Sequence, residues 1–263
     1  MTLFSSLLSK GFLFLSLILL CLNISAQHGL IPVSADMLQI QKHPDFPEAD
    51  AIMLLDYGAT TIEQGPQGWR FATHHTNRIQ ILSEAGKEEA NVRLVYYTRK
   101  NAELVANVFA SIYYLENGRM ITKKLSQKDI FREKINDDYS VVSFAFPNAK
   151  VGAIIQYEFD RYQENITSID WYFQGDLPVL KSRYSFLSNR YFEYSFMFQG
   201  LWNDKLERNG GVWVMRNLPA AREESYVSNL RNYQPKMMVQ MSKYLDQRIN
   251  KVVNFLNSWD QLT

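Results

Sequence analysis

The adjacent histidines His74 and His75 are the first candidates for chemistry, because imidazole binds metal ions and exchanges protons near neutral pH. The flanking residues alternate between polar and apolar types, as they do in a β-strand, where neighbouring side chains point to opposite faces. The two rings therefore cannot easily hold one metal ion together, and a zinc site would need further ligands nearby. We predict an exposed or hydrogen-bonded pair, with no metal and no cofactor.

Two adjacent carboxylate pairs, Asp137-Asp138 and Glu223-Glu224, could in principle divide acid and base roles. Adjacency alone does not separate their pKa values, so a solvated turn and an exposed loop end are the favoured interpretations. No serine has a nearby histidine or a nucleophile-elbow motif. The sequence therefore predicts no catalytic residue.

Four aromatic residues are candidates for contacting a ligand: Trp171, Tyr172, Trp202 and Trp213. Such rings can stack on sugars or on peptide side chains, although aromatic strands more often belong to a core. The alternation around Trp171 places Phe173 on the same side of the strand and Tyr172 on the other. Only the exposed side could bind.

The N-terminus has the order of a secretory signal. Lys10 is followed by an apolar run at residues 12–22, and Ala26 offers a cleavage point before Gln27. The run is too short to span a bilayer comfortably, since a transmembrane helix needs about 20 such residues. Cleavage is favoured over lipidation at Cys21, which lacks a small residue just before it. We predict an exported protein with no membrane segment after residues 1–26 are removed.

Charge and cysteine content exclude several classes of function. Net charge is +1, and Lys10 is the only charged residue of the leader, so the mature chain is balanced. A neutral balance provides no electrostatic attraction to nucleic acid. Because Cys21 is the only cysteine, the mature chain can form no disulfide and has no cysteine nucleophile.

Short strands at roughly ten-residue spacing predict an all-β fold, an antiparallel β-sandwich that is either one large unit or two small ones. Strands are expected at 141–146, 152–162, 168–173, 179–187 and 191–198. Asn117-Gly118 predicts a hairpin over 108–125, because Asn-Gly accepts the positive φ angles of a type I′ turn. Asn209-Gly210-Gly211 indicates a second hairpin.

Helical patterning begins only near the end, around residues 245–256, where we place a domain edge. Ser258 and Gln261 match a capping box, with Asp260 in the first turn, and this pattern predicts that a further helix begins there. A chain ending in this way is favoured to be the N-terminal part of a longer architecture. A frayed tail is the alternative.

Four segments resemble the domain of unknown function 3857 family: DAIMLLD at 50–56, RIQILSEAGK at 78–87, FAFPNAKVGAIIQYE at 144–158 and NLPAAREE at 217–224. The resemblance implies a leader at 1–26, an N-terminal lead at 27–48, the family's β-rich domain at 49–243, and at 244–263 a linker and the start of a further domain. In that family the further domain is typically a transglutaminase-like, papain-like enzyme whose Cys, His and Asp are absent here.

Similar proteins are common in Bacteroidetes, which implies a periplasmic or outer-membrane-facing location. The resemblance thus implies a non-catalytic domain that supports a transglutaminase-like partner, in its own or a separate chain, or recognises that enzyme's substrate. The alternative is a stand-alone carbohydrate- or peptide-binding module. A carboxylate-based hydrolase ranks third, since it would require several carboxylates to converge in one cleft.

Overall fold

The computed structural model describes residues 32–222, 229–246 and 248–254. Its longest elements are two strands joined by a tight turn, β1 (Ala51–Gly65) and β2 (Gly68–Ile81), which pair antiparallel from Ala51 opposite Ile81 to Gly65 opposite Gly68. Side chains on these strands alternate between a buried face and a more polar one, as strand geometry requires.

The remaining strands are β3 (Asn91–Tyr97), β4 (Glu103–Glu116), β5 (Arg119–Lys124), β6 (Phe131–Lys134), β7 (Tyr139–Ala145), β8 (Ile154–Gln163), β9 (Ser168–Tyr172), β10 (Val179–Leu187), β11 (Phe192–Gln199), β12 (Glu207–Asn209), β13 (Val212–Leu218), β14 (Lys236–Asp246) and β15 (Lys251–Asn254). Short 3₁₀ turns cover Met37–Gln39, Ala85–Ala90, Arg99–Asn101, Gln127–Asp129, Asn203–Lys205 and Leu230–Asn232.

One long sheet has the order β12-β13-β10-β1-β2-β8-β4-β5. Its neighbouring strands are antiparallel except for β1 and β10, which pair in parallel from Met53 opposite Val179 to Thr61 opposite Leu187. The N-terminal lead is fixed to this sheet by Gln80, whose buried amide donates to the carbonyl oxygens of Met37 and Ile40 at 2.8 and 2.9 Å.

Two smaller sheets pack on the same face of the long sheet. One has the order β3-β7-β6; in the other, β14 pairs with β11 on one side and with β9 and β15 on the other. Phe71 belongs to the core under the second small sheet and Ile79 to the core under the first. Because these two residues of β2 are separated by an even number of positions, both point to the same face. The predicted all-β sandwich therefore consists of one long sheet with two smaller sheets packed on the same face of it.

The predicted strands and both hairpins are confirmed. Asn117 and Gly118 have φ angles of 51° and 73° between β4 and β5, and Gly210 and Gly211 have 52° and 78° between β12 and β13. These are the positive values that a two-residue hairpin turn needs.

The C-terminal segment differs from its prediction where it is described. Instead of helix, residues 244–246 continue β14 and 251–254 form β15, pairing from Lys243 opposite Asn254 to Asp246 opposite Lys251. Val252 and Val253 are β-branched residues that fit a strand, and this pairing overrides the helical pattern. The domain edge predicted at residue 244 thus falls inside a continuous strand, whereas the capping box at Ser258 lies outside the described residues.

The described residues from Ala35 onward form one unit; residues 32–34 belong to a separate N-terminal unit and contain no strand or helix. Across the described part of the chain, no helix has the length and apolar character needed to cross a bilayer. The secretory leader lies outside that part.

Candidate functional site

A cleft of about 860 Å³ opens at the edge of the fold where β1 and β10 begin. It is lined by the segment preceding β1, the 3₁₀ turn at Ala85–Ala90 and four further loops, at 174–178, 201–202, 219–222 and 230–234. We call it the acidic cleft, because its lining contains five carboxylates and one guanidinium: Glu48, Asp50, Glu88, Glu89, Asp176 and Arg222.

A glycine allows the 3₁₀ turn to bring Glu88 and Glu89 to the start of β1. A Cβ atom on Gly86 would lie 2.0 Å from the carbonyl oxygen of Asp50, so only glycine permits this approach of two backbones. Asp50 is further held by Ser83, whose hydroxyl donates to its carboxylate. The acidic side of the cleft is therefore fixed by backbone contact.

The opposite wall is connected by hydrogen bonds between loops that are distant in sequence. The Ala221 N–H donates to the Gly175 carbonyl at 2.8 Å, and the Gln174 side-chain amide donates to the Pro219 carbonyl at 2.8 Å. The Leu201 N–H donates to the Tyr233 carbonyl at 3.0 Å. These hydrogen bonds join the loops of this wall to one another.

Glu89 is a cleft carboxylate whose pKa is raised by its surroundings. Its side chain is half-buried, and desolvation raises the pKa of the carboxyl, with further raising by the negative charges of Asp176 and Glu88. The negative charges of Asp176 and Glu88 thus make Glu89 harder to ionise. A cation bound among them would relieve that repulsion, and the cleft is suited to ammonium or guanidinium groups.

Of the four candidate aromatic residues, Trp202 lies in the cleft, with 37% of its surface exposed, and it is accompanied there by Tyr233, at 51%. Tyr172 is half-buried beside the cations of Lys236 and Arg231, 5.4 and 5.8 Å from its ring centroid. Sequence reasoning missed Tyr233, because it stands alone in a loop without strand periodicity.

Trp171 and Trp213 are packed into the second core and are only 7% and 6% exposed. The predicted alternation is confirmed, since Phe173 is buried with Trp171 while Tyr172 faces outward. These two tryptophans contribute to packing and present little surface to a ligand.

A buried polar seam lies beneath Trp171. Its indole N–H donates to the Ser182 hydroxyl at 3.1 Å, and Ser182 donates to Asp56 at 2.8 Å. Asp56 also accepts from the Asn77 amide at 3.0 Å. Burial raises the pKa of Asp56 to about 6, although these two donors act in the opposite direction.

His75 lies in the same seam, stacked between Phe159 at 4.4 Å and Trp171 at 5.5 Å, measured between ring centroids. Burial, followed by the positive charge of Arg161, lowers the pKa of His75 to about 3, so the ring is neutral over the physiological range. His74 lies on the opposite face, where its Nδ1 is 2.9 Å from the Asp160 carboxylate. The histidine pair is divided between two faces, as predicted.

His74 also lies 3.4 Å from the Thr76 hydroxyl through Nε2, so Thr76, His74 and Asp160 have the connectivity of a catalytic triad. A nucleophile must reach its substrate, however, and Thr76 is fully buried, at 0% exposure. The arrangement therefore orients polar side chains on the sheet and does not present a nucleophile.

The other predicted carboxylates have ordinary surroundings where they are described. Asp137 is fully exposed and bonded to Lys134 at 2.7 Å, and Asp138 lies 3.7 Å from Arg99. Glu223-Glu224 lies outside the described residues. In the part of the chain that the structure describes, no group of three or more His, Cys, Asp or Glu side chains is placed to hold a metal ion.

The family model of the domain of unknown function DUF3857 matches residues 70–222, more than half of the chain. The chain belongs to the DUF3857 family. This match spans β2 to β13 and reaches the cleft wall at Arg222. No curated protein matches the sequence.

A solved structure with a TM-score above 0.5 shows the same fold at low identity. A candidate protease from Parabacteroides distasonis is 12% identical with a TM-score of 0.56, and the match covers 74% of this chain and 41% of that one. Yeast leukotriene A4 hydrolase matches at 9% identity and TM-score 0.35, over 81% of this chain and 34% of the hydrolase. An M1 zinc metallopeptidase from Deinococcus radiodurans matches at 9% and 0.31, over 77% and 45%. This chain therefore spans less than half of each of these proteins.

Proposed function

We propose that this chain is a non-catalytic exported domain that recognises a basic polypeptide segment on behalf of a transglutaminase-like enzyme domain. The observation that carries the proposal is the acidic cleft, whose lining contains five carboxylates, one guanidinium and two exposed aromatic rings. The secretory pattern of residues 1–26 supports the export, and the family resemblance supports the enzyme partner.

A lysine- or arginine-bearing segment is the ligand that best fits these groups. Carboxylates accept charge-assisted hydrogen bonds from ammonium and guanidinium groups. Tyr233 provides a face over which the same cations bind favourably, whereas the Trp202 ring already has Lys205 Nζ 4.7 Å from its centroid and offers its remaining exposed surface. A neutral sugar would use the rings but would leave the mutual repulsion at Glu89 unrelieved.

The binding test compares pentalysine amide with pentaglutamate amide by isothermal titration calorimetry, using the full chain purified from its exported fraction. We expect pentalysine alone to bind, and the double variant Glu89→Gln/Asp176→Asn to weaken it by about tenfold. Glu133→Gln on β6, away from the cleft, is the matched control and should bind as the parent does. Equal binding of the two peptides, or equal weakening by the control, would refute the proposed ligand. A set of neutral oligosaccharides tests the alternative of a glycan-binding module.

The non-catalytic part is tested with peptide, amide and glycoside substrates. The chain should show no turnover, whereas a transglutaminase-like domain, in its own or a separate chain, should be active. Turnover by this chain that disappears in the Glu89→Gln/Asp176→Asn variant would overturn this part of the proposal.

A further inference from the structure

The edge of β11 differs from the edges of β3, β5, β6, β9, β12 and β15. β5 and β6 are rich in charged side chains (Arg119, Lys123, Lys124, Arg132, Glu133, Lys134), and β9, β12 and β15 are five residues or shorter. The outer edge of β3 is occupied by side chains, since Arg161 donates to the Val95 carbonyl and Glu103 accepts from the Tyr97 N–H, each at 3.1 Å. Such devices prevent edge-to-edge pairing.

β11 has none of these protections. It runs for eight residues, Phe192–Gln199, and its one charge, Glu193, is paired with Lys243 of β14 at 3.2 Å. Phe196 and Met197 are 44% and 48% exposed. A long apolar edge of this kind is a site at which another strand can add.

The register shows which backbone groups of β11 are available. Met241 N–H donates to the Thr167 carbonyl and Phe173 N–H to the Pro235 carbonyl, so odd-numbered residues of β14 face β9. Even-numbered residues of β14 therefore face β11, where Gln240 and Met238 lie opposite Ser195 and Met197. Consequently, the N–H and C=O groups of Tyr194, Phe196 and Phe198 point away from β14, and no strand of the described residues pairs with them.

This edge is continuous with the acidic cleft. β11 passes through Gly200 into Leu201 and Trp202, both of which line the cleft, and Gly200 has a φ of 105° at the bend. An extended ligand lying along β11 would therefore have its next residues directed toward the cleft carboxylates. The apolar edge and the acidic cleft fit consecutive parts of one polypeptide, an apolar extended stretch and a basic stretch.

We propose that β11 binds the ligand by β-strand addition, so that the recognised polypeptide contains an extended segment next to its basic residues. This inference rests on the proposed function and specifies how its ligand is held. Main-chain hydrogen bonds to Tyr194, Phe196 and Phe198 supply affinity without requiring a particular sequence.

The test uses a synthetic peptide of three Thr-Val repeats followed by three lysines, and two N-methylated versions, one methylated on the threonines and one on the valines. Alternate residues of a strand face the same neighbour. We therefore expect one methylated peptide to bind at least tenfold more weakly and the other to bind within about twofold of the parent peptide. In hydrogen exchange, the peptide should protect the amides of Phe196 and Phe198. The amides of Ser195 and Met197 should be protected already without it.

A matched pair of variants gives a second measurement. Met197→Lys on β11 should weaken binding of the unmethylated peptide severalfold, whereas Met120→Lys on the edge strand β5, where the side chain is 42% exposed, should not.

Equal binding of the two methylated peptides, with pentalysine still bound, would overturn strand addition and leave the cleft proposal standing. Strand selectivity together with an unchanged affinity for the unmethylated peptide in Glu89→Gln/Asp176→Asn would instead refute the cleft. A dimer in sedimentation that the peptide does not dissociate would assign β11 to a second copy and overturn the inference.

Discussion

The two cores on the long sheet are built from different side chains. The core under β3, β7 and β6 consists largely of Ala, Val, Ile and Leu, with aromatic residues concentrated around Phe144 and Tyr157. The core under β9, β11 and β14 is dominated by Phe, Tyr, Trp and Met. Its rings pack at defined angles, such as Trp171 stacked on Tyr184 at 4.9 Å and Phe186 edge-on to Tyr194 at 4.9 Å. Aliphatic packing tolerates exchange of similar volumes, whereas the aromatic core depends on specific neighbours.

The polar seam lies next to the second, aromatic core. Trp171 connects the second small sheet to the long sheet through Ser182 and Asp56, and the hydroxyl of buried Tyr184 donates to Thr60 at 3.0 Å. Buried polar groups are costly when one partner is removed. The second core should therefore be the more sensitive one.

The largest expected effect is that of Trp171→Ala, which removes a buried ring and leaves Ser182 without its donor. We expect the free energy of unfolding to fall by about 3–5 kcal/mol, measured by urea denaturation. Trp202→Ala is the matched control in the cleft and should change stability by about 0.5 kcal/mol or less while weakening pentalysine binding. Comparable stability losses in the two variants would contradict the distinction between core and cleft tryptophans.

The pH dependence of the seam should reveal two opposing contributions. The pKa of Asp56 is raised in the folded state to about 6, so its stabilising contribution is complete below about pH 4 and is lost as the pH rises through 6. The pKa of His75 is lowered to about 3, so its contribution is lost as the pH falls from about 6.5 toward 3. At about 1.4 kcal/mol per pKa unit, each contribution amounts to about 3 kcal/mol or more.

Replacing either Asp56 or His75 should reveal the contribution of the other residue to the pH dependence of stability. In Asp56→Asn the free energy of unfolding should increase between pH 4 and 6, and in His75→Gln it should decrease over the same interval. Urea denaturation at pH 4, 5 and 6 measures both slopes. If the two variants have slopes of the same sign, the assignment of these groups is wrong.

Gly58→Ala tests how closely the aromatic core is packed. A Cβ atom at this position would lie 2.2 Å from the Trp171 ring, which cannot move without disturbing Tyr184 and His75. We expect a loss of about 1–3 kcal/mol, typical of overpacking. Gly175→Ala, where no heavy atom lies within 4 Å of the added Cβ, is the control and should be close to neutral. A neutral Gly58→Ala would indicate that Trp171 is loosely held.

The smallest effect is expected outside both cores, at the β4–β5 turn. Gly118 has a φ of 73°, and valine resists positive φ, so Gly118→Val should cost about 1 kcal/mol or slightly more. Gly118→Asn tolerates this conformation better and should retain most of the stability. Differential scanning calorimetry of the two variants gives the comparison, and an equal melting temperature for both would count against a conformational cause.

The sequence predicted those features that depend on neighbouring residues. The alternation of polar and apolar residues predicted β7 to β11, and Asn117-Gly118 predicted a hairpin. Both depend on local sequence, because the faces of a strand and the angles of a turn are determined within a few residues. The C-terminal helix prediction was wrong for residues 245–246 and 251–254, since pairing of β14 with β15 overrides local preference.

The features that could not be predicted depend on residues distant in sequence. Glu48, Glu89, Asp176 and Arg222 line one cleft only because four segments that are distant in sequence come together there. Likewise, nothing local distinguishes Trp171 from Trp202; one lies opposite Gly58 in a core and the other lines a cleft. Which of the two tryptophans is accessible to a ligand could be decided only once the positions of the sheets were known.

The parallel pairing of β1 with β10 has a consequence for how the chain folds. Asp56 and Ser182, which meet across this pair, are 126 positions apart in sequence. The hairpin of β1 with β2 can form from residues that are adjacent in sequence. The other edge of β1 can pair only after closure of a long loop has brought β10 back to it, and this requirement slows folding. The first core needs only residues up to β8 and can therefore form earlier. The strand edge of β1 would thus stay unpaired for longest during folding, and an unpaired edge is a site at which another chain can pair.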